Sequence, residues 1–449
     1  MRRLWKAAVL AAAVAACMSV TAFADGWTKE NNQWVYYENG SKVMNQWRTS
    51  DEGGYYFLDN YGNMLVNSFI DDDRYVDADG HMVTDTWRQI DGRWYYFDTN
   101  GHMIRNKSKQ INGMYYYFGP EGYMQTGWVE DDNGTWHYCD PSDGHRVTAS
   151  WKQLEPAEEM YAYDHDDSAA MQDGKYWYYF QSNGKMCCAD SSEYKEFNID
   201  GSRFAFDQYG RLHTGWVKLA DKYPAIAGYK YFNDTSEIGT FGAAHVGWLS
   251  AYPPEDAGLG SEVVWYYFDS KGEPFHGTDV SEQENDETLG GRFKRLVKNG
   301  RTNTYLFNEY GNPVYGLRKV KRTNGNVTSM YFGTRQECCL QLGEKNIVEA
   351  DGTTSVFCFD NSGYGITGIK NGKLYYMGKL QKAVDDSYAY YTVNDITWLV
   401  NRSGGVAKNH NQSKDPDAVD YRSDSAGHRD GGTEKESSLI VPEFVITEL

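Results

Sequence analysis

The residues of this chain best equipped for chemistry are aromatic. Trp87, Trp94, Tyr115, Trp128, Trp136, Trp151 and Trp216, with Met103 among them, recur where one local pattern is repeated. The face of an aromatic ring is partly negative. Rings gathered around a gap therefore attract a quaternary ammonium, by up to about 2 kcal/mol per desolvated ring. The apolar C–H face of a sugar can stack on the same rings. The best-furnished place sets Trp128 beside Met103, Tyr115 and Trp136. The competing use of these rings is core packing, and each binding site would need two adjacent intact units.

Other chemistry finds little support. His81, His102 and His145 each follow a turn glycine, which makes them occupants of one structural slot rather than metal ligands. The acidic runs Asp71-Asp72-Asp73 and Asp164-His165-Asp166-Asp167 lack the glycine and the spaced bidentate glutamate of a calcium loop. Outside the leader the cysteines are Cys139, Cys187, Cys188, Cys338, Cys339 and Cys358. Their spacing forms neither a disulfide framework nor a metal motif, and neighbouring cysteines bridge only with strain. They read as buried substitutes for apolar residues. There is no Gly-x-Ser-x-Gly, no phosphate-binding loop and no His-Glu-x-x-His. The repeats leave no uninterrupted stretch of catalytic-domain size. The expectation is a protein that is not an enzyme, with no catalytic residue, cofactor or metal.

The elements that position the rings are read from Asp91-Gly-Arg-Trp-Tyr-Tyr-Phe-Asp-Thr-Asn-Gly-His-Met103. Aromatics favour a pleated, half-buried strand, and Asp98-Thr-Asn-Gly101 is turn chemistry, so the segment reads as a β-hairpin returning at Met103. In such a strand Trp94 and Tyr96 face one way, Tyr95 and Phe97 the other. One aromatic face must pack the core, and the other lies in a groove between neighbouring hairpins. A single hairpin is unstable in water, and this chain supplies copies. The turn glycines Gly40, Gly62, Gly80, Gly101, Gly122 and Gly144 fall about 20 residues apart, a solenoid period. Trp27, Trp47, Phe69, Trp87, Trp128 and Trp151 mark the approach to new hairpins, and Met64, Met82, Met103, Met124 and Met186 follow the turns. The predicted fold is all-β, an elongated β-solenoid of stacked β-hairpin repeats with irregular insertions. Better-preserved units span 25–277 and a degenerate array 278–408. A polar tail follows at 409–449, in which Asp420 to Gly427 is readable as a worn repeat.

Aromatics make up 16% of the 449 residues, mean hydropathy is −0.70 and the formal net charge is −19. Such low hydropathy argues for a thin aromatic core rather than one large apolar one. The acidic balance excludes nucleic acid and anionic lipid, which require a basic face. Residues 1–24 read as a signal peptide: Arg2, Arg3 and Lys6, an apolar run, then Ala22-Phe23-Ala24. Val14-Ala15-Ala16-Cys17 competes as a lipoprotein box that would tether the protein through Cys17. No other segment is apolar enough to span a membrane.

The order Trp-Tyr-Tyr-Phe-Asp-x-x-Gly-x-Met-x-x-Gly-Trp resembles the cell-wall-binding repeats of Gram-positive surface proteins, which include choline-binding modules and the glucan-binding repeats of glucosyltransferases. The resemblance covers Gly26 to about Lys408. Several units lack Gly-Trp, and units beyond Gly277 have lost most of their tryptophans. It implies stacked hairpins and non-covalent, multivalent attachment to choline on teichoic acid or a related wall glycan. Two other roles stay open: an adhesin binding host or extracellular glycans, and a spacer presenting a surface to a protein partner. The localisation implied is secreted and wall-associated. The leader reading makes its own prediction: N-terminal sequencing of exported protein reads Asp25-Gly26-Trp27, whereas a lipidated chain begins at Cys17.

Overall fold

A computed structural model describes residues 25–160, 170–190, 194–277, 292–321, 325–349, 351–384, 387–411, 421–431 and 439–442. The leader, the acidic run at 164–167 and the insertion at 279–290 lie outside them. The described residues are all-β, built of antiparallel hairpins with only short 3-10 turns at Glu158–Met160, Ala225–Gly228 and Glu255–Ala257.

The pairing departs from the sequence reading in one respect. The strand Arg93–Phe97 forms its ladder with Thr86–Ile90, in the register Trp87↔Tyr96 and Gln89↔Trp94, and not across Asp98–Gly101. Asp91 and Gly92 close this hairpin with φ of 50° and 79°. Such a two-residue turn matches the right-handed twist of the flanking strands, which is why Asp-Gly prevails over the longer turn. Asp98-Thr99-Asn100-Gly101 is a second turn. The Asp98 carboxylate accepts the N–H groups of Asn100 and His102 at 2.9 and 2.8 Å, and only the bridge Phe97↔Met103 follows. The same hairpin recurs, with Gly26–Glu30 pairing Gln33–Glu38, Gln46–Thr49 pairing Tyr55–Leu58, and Lys107–Ile111 pairing Met114–Phe118. Gly127–Glu130 pairs Trp136–Cys139, Gly215–Lys218 pairs Tyr229–Phe232, and Gly247–Ala251 pairs Val264–Phe268.

Successive hairpins are joined by a backbone rung and a steric lock. After the second turn, the methionine N–H donates to the hairpin before: Met64 to the Trp34 carbonyl (2.8 Å), Met82 to Tyr55 (2.8 Å), Met124 to Trp94 (2.7 Å). The methionine side chain then lies under the next turn glycine. Gly122 has φ of 82°, and a Cβ there would come within 2.4 Å of Met103 Sδ. Met103 is itself buried with Tyr75, Val83, Ile90, Tyr95 and Phe97. The other face of the strand is also packed, Tyr96 with Ile104, Ile111 and Phe118, against Trp87 and Tyr116. Both aromatic faces are thus covered, one by the preceding hairpin and one by the following.

The chain divides into two compact units, Met1–Lys152 with Tyr179–Met186, and Gln153–Tyr178 with Cys187–Leu449. The second unit carries the larger sheet, ordered Gly343–Val348, Thr354–Phe359, Lys379–Leu380, Lys373–Tyr376, Gly368–Lys370. Near its end, Asp424 to Gly427 repeats the turn, and Leu439–Ile440 lies parallel to Tyr388–Val393. All six described cysteines are free, and burial pushes the Cys139 thiol up to about 12.

Two outcomes follow from this packing. Gly122→Ala combines left-handed strain with a clash on Met103, and should destabilise by roughly 2–4 kcal/mol, against about 1–2 kcal/mol for Gly92→Ala, where strain acts alone. A Met103→Ala background should relieve part of the Gly122→Ala cost in a denaturant-melt double-mutant cycle. Second, burial and then the Tyr96 hydrogen bond to Asp85 (2.7 Å) raise the Tyr96 phenol from 10.0 to about 12. A raised phenol adds stability that is complete below pH 10 and lost as pH climbs toward 12. The difference in alkaline absorbance between wild type and Tyr96→Phe should therefore show its step near 12 instead of 10.

Candidate functional site

The register assigns each hairpin one slot, the second residue of its first strand, whose side chain meets its own second strand and the next hairpin. Trp87 fills it in the hairpin of Thr86–Ile90 and Arg93–Phe97. Its ring stands edge-on to Trp94 (centroids 6.4 Å apart, 86°), to its cross-strand partner Tyr96 (5.3 Å) and to Tyr116 of the next hairpin (4.9 Å, 74°). Trp94 is 43% exposed, so the three-ring corner of Trp87, Trp94 and Tyr116 opens to solvent. Burial, then the Asp143 charge, holds the Tyr116 phenol above its ordinary range, so it meets a ligand as a neutral ring.

The corner recurs at the first hairpin. Trp27 lies 5.2 Å from both Tyr36 and Tyr56. Trp27 and Tyr56, with Trp34, Met64, Asp51, Glu52 and Asp79, line a cleft of about 400 Å³. In the second unit Trp216 meets Tyr229 (6.5 Å) and Tyr266 (4.9 Å), and Trp248 meets Trp265 (6.2 Å, 85°) and Tyr305 (4.7 Å, 57°). The Lys298 ammonium sits over this last pair of indoles, 3.6 Å from the Trp265 centroid and 4.8 Å from that of Trp248.

The residues singled out from sequence fall into distinct places. Trp87 and Trp94 share one corner. Trp128 and Trp136 stand together at 6.2 Å and 85°, with Tyr138 and Phe180 against Trp128. Met103 is under Gly122 in the core and is not beside Trp128. Tyr115 is covered by the Arg146 guanidinium, 4.4 Å above its ring. Trp151 packs on Tyr179 at 5.0 Å, and Trp216 belongs to the Tyr229–Tyr266 corner. Tyr56, Tyr116 and Tyr305, the walls contributed by following hairpins, were not singled out. Their signal was available: each lies two residues before the strand position of Leu58, Phe118 or Phe307 and so shares its face.

Elsewhere the slot has lost its ring. The register places Ser108, Glu196, Arg318, Glu344 and Ala389 there. The histidines have local partners: His102 Nδ1 lies 2.5 Å from Asp73 and His145 Nδ1 2.5 Å from Asp143, while His81 bonds the Tyr56 hydroxyl. Asp77, Asp79 and His81 come together, but the Asp77 carboxylate already accepts the Asp79 and His81 N–H groups of its own turn. Among the described residues no helix is long and apolar enough to cross a membrane.

Comparison with known proteins converges on these repeats. Models of the choline-binding repeat match residues 41–82, 71–108 and 107–151, and a model of a putative cell wall binding repeat matches 172–186 and 264–273. Over 78 residues the chain is 37% identical to Glucosyltransferase-S of Streptococcus downei, a stretch amounting to 16% of this chain and 6% of that protein. Among solved structures, choline binding protein F from Streptococcus pneumoniae aligns over 77% of this chain and 98% of its own, at 16% identity and a TM-score of 0.38. The modular autolysin LytC of the same species aligns over 66% of this chain and 54% of its own, at 16% identity and a TM-score of 0.38. The chain thus spans about half of the autolysin and a small part of the glucosyltransferase. Residues 41–151 thus consist of choline-binding repeats, and 172–186 and 264–273 match a putative cell wall binding repeat.

Proposed function

We propose that the protein is secreted and held non-covalently at the cell wall by choline on teichoic acid, through three-ring corners on hairpins stacked as a β-solenoid. The observation that carries this reading is the occupied corner. An ammonium already rests on Trp248 and Trp265, and the Trp87–Trp94–Tyr116 corner has nearly the same ring separations with its mouth open. A quaternary ammonium needs ring faces and no hydrogen-bond partner, which is what this corner offers. At the Trp27 cleft, Asp51, Glu52 and Asp79 add negative charge that draws a cation in. Each corner binds weakly alone, and several on one chain raise the avidity for a polymer carrying many cholines. The chain's own residues bind and orient; no bond is made or broken.

One cleft favours a second reading. Trp128 borders a polar space of about 540 Å³ with Asn106, Lys107, Gln125, Asp131 and Asn133, a ring platform edged by hydrogen-bonding groups that suits a sugar. The stretch similar to a glucosyltransferase fits this glycan reading.

The deciding experiment is retention of the folded mature protein on immobilised choline with free choline as eluent. Wild type should be retained and released by choline. Trp87→Ala should weaken its corner roughly ten- to thirty-fold and elute earlier. Failure of the folded wild type to bind removes the choline reading, and retention on wall glycans or glucans that depends on Trp128 would then establish the second.

A further inference from the structure

The corner of Trp248, Trp265 and Tyr305 differs from the others in having an occupant supplied by the chain. Its source is a longer hairpin. Arg292–Lys298 and Arg301–Phe307 are seven residues each, against five in Lys107–Ile111 and Met114–Phe118. The shorter hairpin runs from the pair Lys109↔Tyr116 to Ile111↔Met114 and turns. The longer one runs from Lys294↔Tyr305 through Leu296↔Asn303 to a further pair on the same face, Lys298↔Arg301. That added pair projects Lys298 back over the rings. The Trp248 indole N–H donates to the Val297 carbonyl at 3.0 Å and pins the extension in place.

The Lys298 Nζ is buried and has no hydrogen-bond partner among the described residues. A buried ammonium without partners is costly, and here the faces of Trp265 and Trp248 are what offset the cost. Burial also holds the amine below its ordinary range, opposed by the neighbouring thiols Cys338 and Cys339.

We propose that Lys298 is the resident ligand of the Trp248–Trp265–Tyr305 corner, an ammonium from the chain's own next hairpin that closes this corner to any external quaternary ammonium. The inference rests on the choline reading of the open corners, and it adds that an intact set of rings does not by itself make a live site. The lysine fastens one hairpin to the next with the same ring chemistry that elsewhere faces outward.

Equilibrium dialysis of labelled choline against wild type, Lys298→Met and Lys298→Met with Trp265→Ala tests it. Lys298→Met keeps most of the aliphatic stem and removes the charge, and should bind about one more choline per chain than wild type. Adding Trp265→Ala should abolish the gain. An unchanged stoichiometry in a wild type that does bind choline overturns the proposal and leaves the open corners standing. A second measurement is independent of choline and reads the wild type itself. In a carbon–proton spectrum of wild type labelled at lysine, the Lys298 ε-methylene should be shifted upfield by the rings, beside that of Lys294 over Phe275. The Lys298 signal should vanish in Lys298→Met. If no upfield lysine ε-methylene remains in Lys294→Arg, where Lys298 is the one lysine among the described residues left over two indoles, the ammonium is not in the corner and the proposal falls, even if no variant binds choline.

Discussion

The turn glycines Gly80, Gly101, Gly122 and Gly144 each rest on the methionine of the repeat before, and the packing of these repeats depends on that contact. Gly101 against Met82 and Gly122 against Met103 leave no room for a Cβ. The close approach lets the residue after the turn donate its N–H to the previous hairpin, as Met124 does to Trp94. Spacing between hairpins is therefore set by backbone hydrogen bonds and one steric lock, and side chains fill what remains. With spacing fixed at one seam, the rings at the other seam come to nearly constant separations.

That constancy is what turns packing into a potential binding surface. A Trp in the slot lays one face toward the next hairpin's Phe118 or Phe307, at interplanar angles of 31° and 25°, and stands edge-on to Trp94 or Trp265. The same ring thus belongs to the core and to the corner. Removing it costs packing as well as ligand contact, so a worn repeat loses both unless another residue type fills the gap. Where the slot holds Glu196, the carboxylate finds Lys230 and Arg203. The seam there is held by ion pairs, and half-buried pairs of this kind specify geometry more than they add stability.

Occupancy of a corner depends on a quantity the repeat does not control, the length of the following hairpin. Five-residue strands stop short of the Trp87 corner. Seven-residue strands carry Lys298 into the Trp248 corner, and a guanidinium from a following turn lies over Tyr115. Cations of the chain itself thus cover ring faces at Trp265 and Tyr115 in this acidic, tyrosine-rich protein.

Much of this was legible in the sequence. The period of the turn glycines, the alternation that puts Trp94 and Tyr96 on one face, the aromatic slot before each hairpin and the all-β class follow from residue type and spacing, because turn chemistry and strand periodicity are local. Tertiary structure decided the rest. Asp91-Gly92, and not Asp98–Gly101, closes the long ladder because the tighter turn has a strand on each side to pair. Met103 went to the core because the next glycine needs something beneath it, and Tyr116 rather than Tyr115 joined Trp87 because alternation names a face without naming the neighbour that covers it. Which corners are open, and that one is filled by Lys298, depends on side chains distant in sequence meeting at a seam, and no local pattern encodes that meeting.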